Sequence, residues 1–480
     1  MANEAPAEDL LHVKSAVPPG ILAPGTEAVG PGVDPAITFG HSTRSFRANS
    51  AARFLSDAYL LLTSLVAATV TARLLGPSGK GFFSTLTLLS VLLVQVFNFG
   101  LGEAAVVLVG RRQAQLRTAT RATAMALIPL SVIGAAGFLG FGWAVLDPAT
   151  PNERTAIVLG TVLLLSQVWS TAVVWFLVLQ ERIVLVAVLT SCSATVATAA
   201  LWWLVAEGDY GIAGAVAGGL AGALVILGAV LTYVVRAGMS LSPRWHTDYL
   251  RRAIRFGVAV QMSNLLVQMT GRLDLVLVYR LADSSAAGNY SIALTIGALV
   301  GAVPIALAFA SFPRLAQLDD AQATDFTRQL FRMGIAAAIA SAAVLAVMTP
   351  FVLPLLFGRA YTASITPTML LVGAGIFWSG QWLLSRAAAA RGEPKALFLS
   401  FALSFVVMIG LDFVLIGRFD GTGAAVASSI GSALGFVVSA AYYRGWGWRG
   451  FIPGRRDFAD AVSTGRAMFG RLFAWRRTTG

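Results

Sequence analysis

Cysteine is nearly absent from this chain, with Cys192 alone among 480 residues. That excludes an intramolecular disulfide and a thiolate metal cluster. Histidine is almost as scarce: His12, His41 and His246 are scattered, and none has a neighbour at metal-ligand spacing. Charge is thin as well. Only 12% of residues are charged, against about 25% in soluble domains, so a water-facing surface cannot be covered. No glycine-rich Walker loop is present to cradle a nucleotide phosphate. No cofactor, metal site or nucleic-acid role is expected.

What the chain has instead is apolar length, with hydrophobic residues making up 57% of it. A run of about 18 or more apolar residues crosses a bilayer as a helix, because the helix satisfies its own backbone polar groups. Such runs fall at about 54–74, 82–109, 121–146, 155–179, 183–205 and 211–235. After a hydrophilic stretch from Arg236 to Arg255, six more fall at about 256–279, 287–312, 332–353, 364–386, 396–417 and 421–443. The expected fold is an all-α polytopic membrane protein of about twelve transmembrane helices in two six-helix lobes. Residues 1–50, rich in Pro, Gly and Ala, read as a disordered tail and not as a cleaved signal. The lobes are expected at 51–236 and 256–444, joined by a cytoplasmic linker at 237–255. The remainder, 445–480, is a basic tail in which 456–477 is predicted to form an amphipathic helix on anionic lipid.

Net charge is +12, and its placement matters more than its size. One set of alternate loops holds Arg111, Arg112, Arg117 and Arg121, then Arg182, then Arg236, Arg244, Arg251, Arg252 and Arg255. The same side then holds Arg314, Arg328, Arg332, Arg386, Arg391 and Lys395. The opposite loops hold only Lys80, Arg154, Arg280, Arg359 and Arg418. By the positive-inside rule both termini are cytoplasmic, in a multi-pass cell (inner) membrane protein.

The halves repeat each other. Leu75-Gly76-Pro77-Ser78-Gly79-Lys80-Gly81 follows the first span, and Leu281-Ala282-Asp283-Ser284-Ser285-Ala286-Ala287-Gly288 follows the seventh. Tyr210-Gly211-Ile212-Ala213 opens the sixth span, and Asp420-Gly421-Thr422-Gly423 opens the twelfth. Six helices separate the copies, so each keeps its orientation, as in a parallel repeat about an axis along the membrane normal.

Polar residues inside spans mark a cavity or an ion pair, because each is costly against lipid. Gln261, Asn264, Gln268 and Arg272 share one face of the seventh span. Asp274, on another face, is either paired with a basic residue or a proton or cation site. Arg53 and Asp57 form an i,i+4 pair where the first span begins, and Arg73 ends it. Gln95 and Asn98 share a face of the second, with Glu103 below them. Trp378, Gln381, Trp382 and Ser385 make a helical face able to meet a glycan.

At several of these positions the sequence resembles a family. The stretch Arg73-Leu74-Leu75-Gly76-Pro77 with Gly81 is similar to the end of the first helix in oligosaccharide flippases, in the polysaccharide-transporter branch of the multidrug/oligosaccharidyl-lipid/polysaccharide exporter superfamily. The resemblance continues through Asp274, Gly288-Asn289-Tyr290-Ser291, Phe312-Pro313-Arg314-Leu315, Leu356-Phe357-Gly358, Arg391-Gly392-Glu393-Pro394-Lys395 and Gly421-Thr422-Gly423-Ala424-Ala425, over about 52–445. It implies alternating-access transfer of a polyprenyl-pyrophosphate-linked oligosaccharide from the inner to the outer leaflet. Polysaccharide polymerase and glycosyltransferases are the implied partners. Under it the cavity residues Arg272, Gln268, Asn264, Gln261, Arg73, Arg53, Gln95 and Asn98 are expected to meet substrate. Arg suits that role because its planar fork makes bidentate bonds to phosphate oxygens. Asp274, Asp57 and Glu103 are the expected ion-coupling or ion-pairing groups.

Two other readings compete. A multidrug efflux transporter of the same superfamily favours acidic cavity residues for cationic cargo, whereas these spans offer Arg as often as Asp or Glu. A membrane glycosyltransferase or polysaccharide polymerase needs a substantial external loop of catalytic acids or bases, and the external loops here are short.

Overall fold

The computed structural model describes residues 43–238, 242–315, 318–391, 394–447 and 450–459. The first helical element, Thr43–Asn98, is two helices joined at Gly76, whose φ of 66° is outside helical geometry. It supplies α1 (43–75) and the first part of α2 (77–98), and α2 resumes at Leu101–Gly110. Then come α3 (Leu116–Leu146), α4 (Pro151–Leu179), α5 (Ile183–Trp202), α6 (Gly211–Arg236), α7 (Thr247–Leu281) and α8, running from Ser284 to Leu315 through a 3-10 turn at Ala298–Gly301. They are followed by α9 (Asp320–Phe357) and α10 (Ile365–Ala390). The last element, Pro394–Tyr442, breaks at Asp420 (φ 50°) into α11 (394–419) and α12 (421–442).

Among the described residues, nine helical stretches are long and apolar enough to cross a membrane. Leu55–Gly110 and Phe398–Tyr442 each hold two helices, which makes eleven. The twelfth is α7, which falls outside that set because of its own polar stripe. The twelve-helix, two-lobe arrangement expected from the hydropathy pattern is therefore present, and no described residue is in a strand.

The first helix starts at Thr43. The helix α7 starts at Thr247, ahead of its apolar span, with Asp248 in its first turn, where a carboxylate complements the helix dipole. The remaining ends follow local chemistry. At the start of α4, the Thr150 hydroxyl accepts from the Glu153 amide at 3.2 Å, the Glu153 carboxylate accepts from the Thr150 amide at 3.0 Å, and Pro151 occupies the first turn. Asp283 and Asp319 accept from Ala286 (2.7 Å) and Gln322 (2.8 Å) to cap α8 and α9. The repeat shows in the backbone too: Asp209 (φ 51°) precedes α6, and Asp420 (φ 50°) precedes α12.

With an even number of spans, α1 begins and α12 ends on one face, here the near face; the other is the far face. Helix contacts use small and hydroxyl side chains, as expected where lipid removes the hydrophobic drive between helices. Ser56 of α1 donates to the Ala187 carbonyl of α5 at 3.1 Å. Ser385 of α10 meets Ser400 of α11 and Ser439 of α12, both at 3.1 Å. Beyond α12 the chain folds back on α9: Phe451 packs edge-on to Phe331 (5.6 Å), Arg328 lies over Trp446 (5.6 Å), and Arg332 pairs with Asp457 at 2.6 Å. Residues 455–459 begin a helix, and the rest of the predicted amphipathic segment lies outside the described residues.

Candidate functional site

Two contacts close the seam between the lobes. At the far face, α2 crosses the start of α8 so tightly that a Cβ on Gly288 would lie 2.0 Å from the Pro77 carbonyl oxygen, and one on Gly81 would lie 1.8 Å from that of Ser284. Gly81 and Gly288 are equivalent positions of the repeat, so this crossing sits beside the pseudo-two-fold axis. At the near face, α2 meets α7, where a Cβ on Gly257 would lie 2.3 Å from the Phe99 carbonyl oxygen and one on Gly100 2.5 Å from that of Gly257. Here α2 is interrupted, with Phe99 (φ 51°) and Gly100 (φ 63°) both left-handed. One turn further in, the Gln261 amide donates to Gln95 at 2.9 Å across the seam. The lobes are therefore in close backbone contact at both the far and the near face.

Between these closures runs the polar face of α7. Gln261 is buried, Asn264 and Gln268 are half-buried, and Arg272, within the seventh span, is exposed. Gly271 lies on the same side of the helix, and a Cβ there would meet nothing within 4 Å. Holding a guanidinium at membrane depth costs about 2.5–3.5 kcal/mol on insertion scales, so this placement is tolerated only beside water or an anion.

Asp274 faces the other way and is 1% exposed. Its carboxylate accepts from Tyr290, from the Ser428 hydroxyl at 2.7 Å and from the Leu275 amide at 2.8 Å. These hydrogen-bond donors are all neutral, and a cation within electrostatic reach is Arg272 of the same helix. Within electrostatic reach lies Asp412 of α11, 0% exposed, with neither carboxylate oxygen hydrogen-bonded among the described residues. Asp274 and Asp412 are thus two buried carboxyls within electrostatic reach of each other. Asp412 was missed in the sequence, yet the signal was there: it is the only charged residue within 396–417.

The other expected site residues fall apart in space. Gln95 joins the α7 stripe through Gln261, while Asn98, next to the α2 break, is 2% exposed with both side-chain polar atoms unpartnered among the described residues. Glu103 has one buried carboxylate oxygen that is likewise unpartnered among them. Arg73 lies at the far end, where it donates to the Leu355 and Leu356 carbonyls that end α9. Asp57 is half-buried on α1, and the side chain of Arg53 is outside the described residues. The tryptophan face of α10 is not open to a glycan: Gln381 is fully buried and donates to Ser404 (3.2 Å), and Trp382 is 7% exposed. That face is a helix–helix contact.

The family described as "Polysaccharide biosynthesis protein" matches residues 46–319, more than half of the chain. The chain belongs to this polysaccharide biosynthesis family. Among solved structures, the family member is similar to "Lipid II flippase MurJ, inward closed conformation", at 11% identity over 89% of this chain and 92% of that one, with a TM-score of 0.69. It is also similar to an inward-facing multidrug resistance MATE family transporter of the MOP superfamily, at 14% identity over 80% and 95% of the two chains (TM-score 0.62). A third likeness is to the MATE multidrug transporter DinF-BH in a ligand complex, at 16% identity over 86% and 97% (TM-score 0.62). At these identities the likeness establishes the fold alone, an all-helical two-lobe membrane architecture. No protein of curated function matches the sequence.

Proposed function

We propose that this protein is a flippase that carries a polyprenyl-pyrophosphate-linked oligosaccharide from the inner to the outer leaflet of the cytoplasmic membrane, for synthesis of cell-envelope polysaccharide. The observation that carries the reading is Arg272: an accessible guanidinium inside the protein, at the head of a polar helix face, in a member of a polysaccharide biosynthesis family. Arg272 holds the pyrophosphate, Gln268 and Asn264 meet the glycan, and the polyprenyl tail stays in lipid. The lobes then rock about the glycine crossings. Glycosyltransferases that build the glycan and a polymerase that consumes it are the partners this role requires.

The near face is cytoplasmic on this reading, because the arginine-rich loops lie there. Reporter fusions after Ser242 are expected to be active inside and fusions after Gly208 outside. An external signal at Ser242 would place the repeats in opposite orientations and remove the arrangement.

Asp274 and Asp412 bind the coupling proton or cation. Their burial argues against the efflux reading, since a cationic drug in the cavity cannot reach carboxylates that are 1% and 0% exposed. Reconstitution of the full chain tests both points. A fluorescent lipid-linked oligosaccharide should cross proteoliposome leaflets faster under an imposed proton or sodium gradient, and Asp412→Asn should lose the response to the gradient. Movement of a cationic rhodamine dye without movement of the lipid-linked glycan would replace the flippase with a drug pump.

A further inference from the structure

The far-face seam contains a cleft of ≈ 510 Å³, bounded on one lobe by Ala72, Arg73 and Gly76 and on the other by the turn from Pro354 to Tyr361. Two arginines line it, Arg73 and Arg359, and no carboxylate does among the described residues. That charge is unusual for its position, since the far-side loops hold few cations. Arg359 is exposed, in the turn after α9. Arg73 reaches across the seam to the last carbonyls of α9, and the Tyr361 hydroxyl reaches back to the Ala72 carbonyl at 3.0 Å. All three bonds join opposite lobes, so all three break when the far face opens.

We infer that Arg73 and Arg359 form a second anion site, for a phosphate or pyrophosphate group at the far-face mouth, whose ligand replaces the α9 carbonyls on Arg73. Arg73 is exposed at the mouth of this cleft, and once it leaves the two carbonyl acceptors, phosphate oxygens accept from the same planar fork with charge added. Arg359 supplies the second cation without rearrangement. The site thus favours the open far face when an anion is present. It rests on the proposed flippase cycle for one of its two sources, the departing lipid pyrophosphate; the other is the phosphate headgroup of an outer-leaflet lipid.

The test uses the full chain in phosphatidylcholine nanodiscs with inorganic pyrophosphate as the probe, in an Arg272→Ala background so that the central arginine contributes nothing. Saturable binding is expected. Arg359→Gln and Arg73→Gln should each weaken it about ten-fold, the scale of one lost charge-assisted pair, and Arg154→Gln, on the far side but outside the cleft, should not. Nanodiscs containing phosphatidylglycerol separate the sources. Competition with pyrophosphate that disappears in Arg359→Gln identifies the membrane headgroup, and absence of competition by phosphatidylglycerol identifies the departing cargo. Absence of saturable binding, or equal affinity in Arg359→Gln, overturns the proposal. Should Arg73→Gln not fold, Arg359→Gln decides, since its side chain is exposed. Pyrophosphate binding in this background, with no glycan transport by the parent chain, would leave this site standing and remove the flippase reading; transport by the parent without such binding would do the reverse.

Discussion

Gly288→Ala abolishes net transport, on this account, while the protein still inserts. The added methyl would sit 2.0 Å from the Pro77 carbonyl oxygen, and backbone cannot yield as a flexible side chain does. Overpacking of this kind costs about 1–3 kcal/mol even where neighbours relax. A bias of about 3 kcal/mol shifts a two-state equilibrium more than roughly 100-fold. The far face would be held apart, so thiol probes added outside should label the cavity more strongly and inward-facing molecules should become rare. Gly257→Ala acts at the opposite end, where its methyl would meet the Phe99 carbonyl at 2.3 Å, and should bias labelling toward the inside. Gly373→Ala, with nothing within 4 Å, should be close to silent. Identical labelling of Gly288→Ala and the parent from both sides would show that the glycine crossing is packing alone.

Substitution of Arg272 is the second large effect. Arg272→Ala should lower the initial rate of glycan translocation at least about 100-fold, because the pyrophosphate then lacks its main charge-assisted partner inside the protein. Arg272→Lys keeps the charge and loses the fork, and a loss of about ten-fold is expected. Arg280→Ala, exposed at the far end of the same helix, should be neutral. The readout is translocation per correctly inserted molecule, which separates loss of binding from loss of protein. A lysine variant as active as the parent would argue that Arg272 supplies only positive potential.

The fold was legible because lipid imposes one rule on every segment. Each of the twelve spans appears where the apolar runs predicted, and α7 was recognisable although its stripe lowers its hydropathy. Gly81 and Gly288 were visible as repeat partners, but that they touch follows only from the lobes meeting at the axis. Sequence separation hid most of the rest. Arg73 donates to a helix end more than 280 positions away, a contact that nothing local in the sequence shows. Asp412 is a lone charge in an apolar run, and its significance appears only once α11 is seen to bring it within electrostatic reach of Asp274. The tryptophan face of α10 failed for a different reason: aromatic and amide side chains at helical spacing describe a glycan platform and a helix–helix contact equally well.

The central claim is that the polar face of α7 is the path of the substrate, and thiol accessibility tests it most directly. Single cysteines at Asn264 and Gln268, in a Cys192→Ser background, should react readily with a small water-soluble thiol reagent. Those at Leu266, packed on the apolar cluster of the second lobe, and at Thr270, 7% exposed, should react slowly. Added lipid-linked oligosaccharide should slow labelling at Asn264 and Gln268 several-fold. Equal protection of all four positions, or labelling at Asn264 and Gln268 indifferent to the lipid-linked glycan, would contradict the account.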